Sequence, residues 1–146
     1  MGYDMSCMSG IDCDESYFLA NIWGMQTLRT AMKAVNILDF NCDHPKFPVR
    51  PRDGNDFSSY DKELIKVRSF TSKTKGLIPV QKFCSNDGWI VTPEECYIIF
   101  EALSRTLDKN DILCSKIMEE YNNYDFVKMF ADYCKHAVEC GGFEVW

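Results

Sequence analysis

The sequence predicts a mainly α-helical fold: a single compact domain over residues 1–146, with four or five helices around a central helix near the C-terminus and small β pieces at most. Three observations lead there. The 146 residues are 46% apolar and 14% aromatic, enough for one core and too apolar for intrinsic disorder. Apolar residues recur at helical spacing in several stretches. In the stretch 124–140, the polar residues Asp125, Lys128, Asp132, Lys135, His136 and Glu139 share one arc of roughly 100°, which leaves the rest of that helix apolar and wrapped by neighbours.

The elements follow in chain order. Tyr17 to Trp23 reads equally as a helical turn or a strand, because periodicity cannot arbitrate over so short a run. A helix over 24–38 is predicted by Met25, Leu28, Met32 and Val35 on one side and Gln26, Arg29, Lys33 and Asn36 on the other. Residues 39–59 read as a proline-broken loop whose Phe40, Phe47 and Phe57 favour packing onto the surface. A weaker helix is read over 59–70, where Leu64 to Arg68 alternates almost as a strand would.

The clearest start signal is Thr92-Pro93-Glu94-Glu95: an N-cap Thr, Pro at the first helical position and Glu at the third form a capping box. Cys96, Ile99, Phe100, Leu103 and Leu107 then make an apolar stripe. A short helix is expected over 112–121, and Gly141-Gly142 closes the helix at 124–140. Small β pieces are expected near the N-terminus, at 77–84 and at 143–146.

Charge divides the chain. The net charge is −6, yet the stretch from Lys46 to Lys82 holds 9 bases and 4 acids, interleaved with Phe47, Phe57, Tyr60 and Phe70. That pattern is the argument for nucleic acid, and the overall negative charge is the stronger argument against it. Apolar runs such as Cys96 to Phe100 fall far short of the ~20 residues that span a bilayer, so no membrane partner is expected. No secretion signal is read at the start. Met1-Gly2 to Ser6 fits the loose myristoylation pattern but lacks a second anchoring signal, and it is read as an ordinary terminus. The 8 cysteines are read as reduced, mostly buried thiols of a cytoplasmic protein rather than as a disulfide framework.

Motifs that carry chemistry are sparse. No C-x-x-C pair exists, and the G-x-S-x-G, H-E-x-x-H, P-loop and dinucleotide patterns are missing. Asp132, His136 and Cys140 stand one helical turn apart. They are read as the edge of the polar arc, with His136 paired to Asp132, and not as a metal site. Cys42-Asp43-His44 is equally unspecific. An EF-hand reading around Asp87-Gly88 fails because Phe83 would occupy the first ligand position, so Asn86-Asp87-Gly88 is read as a tight turn. Cys84 is the best placed thiol nucleophile, but no imidazole is linked to it in sequence. No cofactor, metal or catalytic residue is assigned.

Lys82-Phe83-Cys84-Ser85-Asn86-Asp87-Gly88-Trp89-Ile90-Val91-Thr92-Pro93-Glu94-Glu95-Cys96, with the ending Gly141-Gly142-Phe143-Glu144-Val145-Trp146, resembles a loose group of small uncharacterised bacterial proteins. In that group an S-N-D-G turn precedes a T-x-E-[ED] helix, and a G-G-F segment follows the last helix. The resemblance implies a bacterial or phage-related cytosolic protein and carries no activity or site residue.

The function expected is that of a non-catalytic protein-binding accessory protein, of the immunity or inhibitor kind. Its contact surface would be the basic aromatic loop with Phe47, Arg50, Arg52 and Phe57, together with Tyr97 and Ile98, which project away from the Cys96 stripe. The alternative is a small enzyme or ligand-binding protein with a pocket around Cys84, Asp87 and Trp89.

Overall fold

A computed structural model describes residues 2–9, 14–108 and 124–146. The first strand, β1 (Gly2–Cys7), alternates between exposed and buried positions, with Tyr3 and Met5 inward. It pairs antiparallel with β2 (Tyr17–Asn21), whose inward residues are Phe18 and Ala20. The ambiguous run at 17–23 is thus a strand that passes directly into α1 (Ile22–Ala34). Asn21 makes the switch by accepting a 2.7 Å hydrogen bond from the Gly24 N–H, as an N-cap does. The helix buries Met25, Leu28, Ala31 and Met32 and stops at Val35, short of the expected Leu38. Asn36, at φ 58°, turns the chain into β3 (Leu38–Asp39).

After the proline-broken loop comes α2 (Ser58–Arg68), which buries no residue fully. β4 (Ile78–Pro79) lies parallel to β3, and a short 3-10 turn over Val80–Phe83 follows. β5 (Trp89–Val91) leads to α3 (Pro93–Asp108), which starts at the predicted box: Thr92 Oγ1 accepts from the Glu95 N–H at 3.3 Å, and Glu95 Oε1 accepts from the Thr92 N–H at 3.0 Å. The next described helix, α4 (Tyr124–Glu139), buries Val127, Phe130, Ala131, Tyr133, Cys134 and Ala137. Burying a side chain such as Phe130 contributes about 1.5–3 kcal/mol. The predicted polar arc of α4 faces outward. The short helix expected over 112–121, and Cys114 within it, lie outside the described residues.

The chain ends on β6 (Phe143–Val145), which inserts between β1 and β5 to give an antiparallel four-stranded sheet in the order β2-β1-β6-β5. The mainly α expectation is therefore corrected. Among the described residues the fold is mixed α/β, with four helices, this sheet and the two-stranded β3–β4 pair. Of the expected β pieces, those near the N-terminus and at 143–146 join β5 in one sheet, whereas the one at 77–84 pairs with β3 instead. The inner face of the four-stranded sheet packs on the helices: the Phe18 ring lies 5.4 Å from Phe130, and Tyr133 lies 5.2 Å from Phe143. α3 and α4 pack along one another beneath it.

Gly142 joins α4 to the sheet at φ 86°, and a Cβ there would overlap the Val91 carbonyl oxygen, so only glycine fits. The Gly142 N–H donates to the Ala137 carbonyl at 2.9 Å.

Candidate functional site

Asp39 anchors the base of the long loop. Its carboxylate accepts from the Ser72 hydroxyl, from the Asn41 N–H at 2.8 Å and from the Cys42 thiol at 3.2 Å. Those bonds, the Ser72 one foremost, hold its pKa below the usual carboxylate value, while burial pushes the Cys42 thiol up. Further along, the rings of His44 and Phe47 lie 5.4 and 5.3 Å from that of Trp89, and Phe70 adds a third ring at 5.4 Å. The loop thus touches Trp89 through His44 and Phe47, but the expected packing of its phenylalanines holds only in part, since Phe40 and Phe47 remain exposed. Beyond it the Arg50 guanidinium sits 5.9 Å from the Phe57 ring centre, a cation–π contact, and Arg52 is exposed.

Tyr97 and Ile98 belong to a different feature. They line a groove of about 700 Å³ together with residues such as Leu77, Pro93 and Val138. None of Phe47, Arg50, Arg52 or Phe57 lines that groove, so the residues expected to share one contact surface lie on two. Tyr97 is exposed, whereas Ile98 is half-buried against the core.

Glu95 also lines the groove, from below. Its Oε1 lies 2.5 Å from Lys82 Nζ, and that ammonium also donates to the Ile90 carbonyl at 2.6 Å. Both residues are buried. Desolvation outweighs their mutual attraction, pushing the Lys82 pKa down and the Glu95 pKa up.

Cys84, Asp87 and Trp89 fall in and beside the predicted turn. Trp89 Nε1 donates to Ser85 Oγ at 2.8 Å, Ser85 Oγ donates to Asp87 Oδ2 at 2.7 Å, and Arg68 Nε donates to the Asp87 carbonyl at 2.9 Å. Trp89 is fully buried and Cys84 is exposed, so these residues brace a turn and its edge.

Two features escaped sequence reasoning. Tyr17, Leu19, Ile22 and Trp23 are all exposed within seven consecutive positions, Leu19 at 68% and Trp23 at 75%. Tyr17 and Leu19 point outward from the sheet's edge strand, opposite Ser6 and Asp4 of β1. The run 17–21 shows no alternation in sequence, and which of its faces is covered depends on distant strands.

The second feature concerns titratable groups. Asp132 pairs with Lys128 at 3.2 Å, not with His136 as expected. His136 instead faces Glu15, with 3.7 Å between Nδ1 and Oε2, and its Nε2 lies 3.4 Å from Cys140 Sγ. Cys7, from the end of β1, joins them, and the three ligand atoms lie within 4.8 Å of one another. Sequence spacing could link His136 to Cys140 but gave no signal for Cys7. Of the other small cluster, Cys42 bonds to Asp39 and His44 lies against Trp89, so the two do not converge.

No helix among the described residues is long and apolar enough to cross a membrane. Comparison with protein-family models, with curated proteins and with solved structures finds no match to this chain.

Proposed function

We propose that the chain is a non-catalytic protein-binding module whose principal contact surface is the outer side of β2 and the adjoining start of α1. The observation that carries this reading is the exposed apolar run Tyr17, Leu19, Ile22 and Trp23 on an edge strand. Exposed apolar surface of this kind mostly marks an interaction site, and among the described residues β2 is the last strand of its sheet, the position at which an extended segment of a partner can add. The basic aromatic loop, with Phe47, Arg50, Arg52 and Phe57, is a second face for the same role, and the groove at Tyr97 and Ile98 a third. An accessory, immunity or inhibitor role against a basic partner suits the net charge of −6. A cytoplasmic, reducing setting suits the thiols of Cys96 and Cys134, which are buried in the core as small apolar groups. The resemblance of 82–96 and 141–146 supports a bacterial or phage-related origin.

Affinity capture with the immobilised chain tests the proposal. Leu19→Glu with Trp23→Asp is expected to release a protein that the unaltered chain retains, while Arg50→Glu with Arg52→Glu and Ile98→Glu leaves it bound. Release by the second set alone would move the surface to the loop and the groove. A partner retained by both sets would overturn the reading.

A further inference from the structure

We infer that Cys7, His136 and Cys140 form a zinc site, to which they supply two thiolates and one imidazole. The three residues come from opposite ends of the chain, and the fold holds their backbone in place from both sides. The Met8 N–H donates to the Gly142 carbonyl at 3.0 Å, and the Ser9 N–H donates to the Cys140 carbonyl at 2.9 Å. Cys7 itself pairs with Phe143 in the β1–β6 ladder. The ligand-bearing segments are thus stitched together directly at the cluster, which pre-organises it.

The spacing suits the metal. Zinc bonds sulfur at about 2.3 Å and nitrogen at about 2.0–2.1 Å, so tetrahedral geometry places S and N ligands about 3.6 Å apart and two S ligands about 3.8 Å apart. Cys140 Sγ and His136 Nε2 stand 3.4 Å apart, and the whole triangle lies within 4.8 Å. An inward adjustment of about 1 Å at most closes it.

A second, independent observation is the far side of the imidazole. With Nε2 turned toward the sulfurs, Nδ1 faces the Glu15 carboxylate at 3.7 Å. A metal-bound histidine characteristically gives its other ring N–H to a carboxylate, which fixes the tautomer and raises the basicity of the ligating nitrogen. Two sulfurs and a nitrogen select zinc over calcium or magnesium, which take oxygen ligands. Two thiolates also neutralise the ion, which suits a site where Cys140 is buried. Beside the imidazole opens a cavity of about 470 Å³, lined by Glu15, Tyr17, Asp132, Tyr133 and Glu139 among others, which gives an ion a route in from bulk solvent.

The test uses the full chain, isolated anaerobically, freed of metal by a chelator and titrated with cobalt(II), then zinc(II). One cobalt per chain is expected, with sulfur-to-cobalt charge-transfer absorption and the visible bands of a tetrahedral ion, and zinc should displace it. Cys7→Ser, Cys140→Ser and His136→Ala should each weaken zinc binding at least about tenfold, the two serine variants also losing charge-transfer intensity. Glu15→Gln alters an exposed side chain that the core does not need, and it should weaken zinc by about 10- to 100-fold. Cys84→Ser should change nothing. Four results would each overturn the assignment: no stoichiometric binding, a cobalt spectrum without sulfur ligation, zinc affinity unchanged by Cys7→Ser and Cys140→Ser, or a Cys7–Cys140 disulfide in the anaerobically isolated chain.

Discussion

Replacing Lys82 by Met removes the ammonium that faces the buried Glu95 carboxylate while nearly preserving side-chain volume. In the intact chain Glu95 Oε1 accepts from both Lys82 and the Thr92 N–H, and Oε2 has no hydrogen-bond partner. Without the lysine, a buried carboxylate keeps only its capping bond, and stability should fall by about 3–5 kcal/mol at about pH 7.5. The deficit should depend on pH with a definite sign. Desolvation raises the Glu95 pKa above its ordinary 4.5, and the attraction of Lys82 that opposes this rise is gone in the variant. A carboxyl raised in the folded state takes up a proton on folding, so stability is greatest below the unfolded value and is lost as pH rises toward the folded one. The slope is about 1.4 kcal/mol per pH unit, so lowering pH from about 7.5 to about 5.5 should return up to about 2.7 kcal/mol relative to the unaltered chain. Urea unfolding curves at the two pH values, with a common m-value, measure this. Lys82→Met with Glu95→Gln should recover most of the loss, because the amide keeps an acceptor for Thr92 and carries no charge. A Lys82→Met deficit under about 1 kcal/mol, or one that ignores pH, would refute the reasoning.

Three other outcomes follow from the packing. Gly142→Ala forces a Cβ against the Val91 carbonyl at a left-handed φ of 86°, and the loss of the α4–β6 junction should reduce soluble yield or the unfolding midpoint far more than Gly54→Ala, whose added Cβ meets nothing within 4 Å. Thr92→Ala removes the hydroxyl that caps α3 and should cost about 1 kcal/mol in the same urea assay. Under a thiol-labelling reagent at neutral pH, followed by peptide mass spectrometry, exposed Cys84 should react first among the described cysteines. Cys96 and Cys134 should stay unlabelled until unfolding, since both are buried and desolvation raises both pKa values.

The helices were legible because their signals are local. The apolar stripe of α1, the Thr92 to Glu95 box and the two-thirds apolar circle of α4 each lie within one stretch of chain. The sheet was not, because β1 and β6 pair across almost the whole sequence and β5 is three fully buried residues that show no alternation. That pairing also hid the cysteine cluster. His136 and Cys140 sit four positions apart, but Asp132 shares the same spacing, and only the docking of β1 beside Gly141-Gly142 shows that the third member is Cys7. The exposure of Leu19 and Trp23 was hidden for a related reason, since a residue's outward face is defined by the strands beside it.

The most direct test of the protein-binding account is amide hydrogen exchange of the chain alone and with its captured partner. The account predicts new protection concentrated over Tyr17 to Trp23, where the last described strand of the sheet and the exposed apolar run coincide. Protection confined to residues 40–60, or none anywhere on β2, would contradict it.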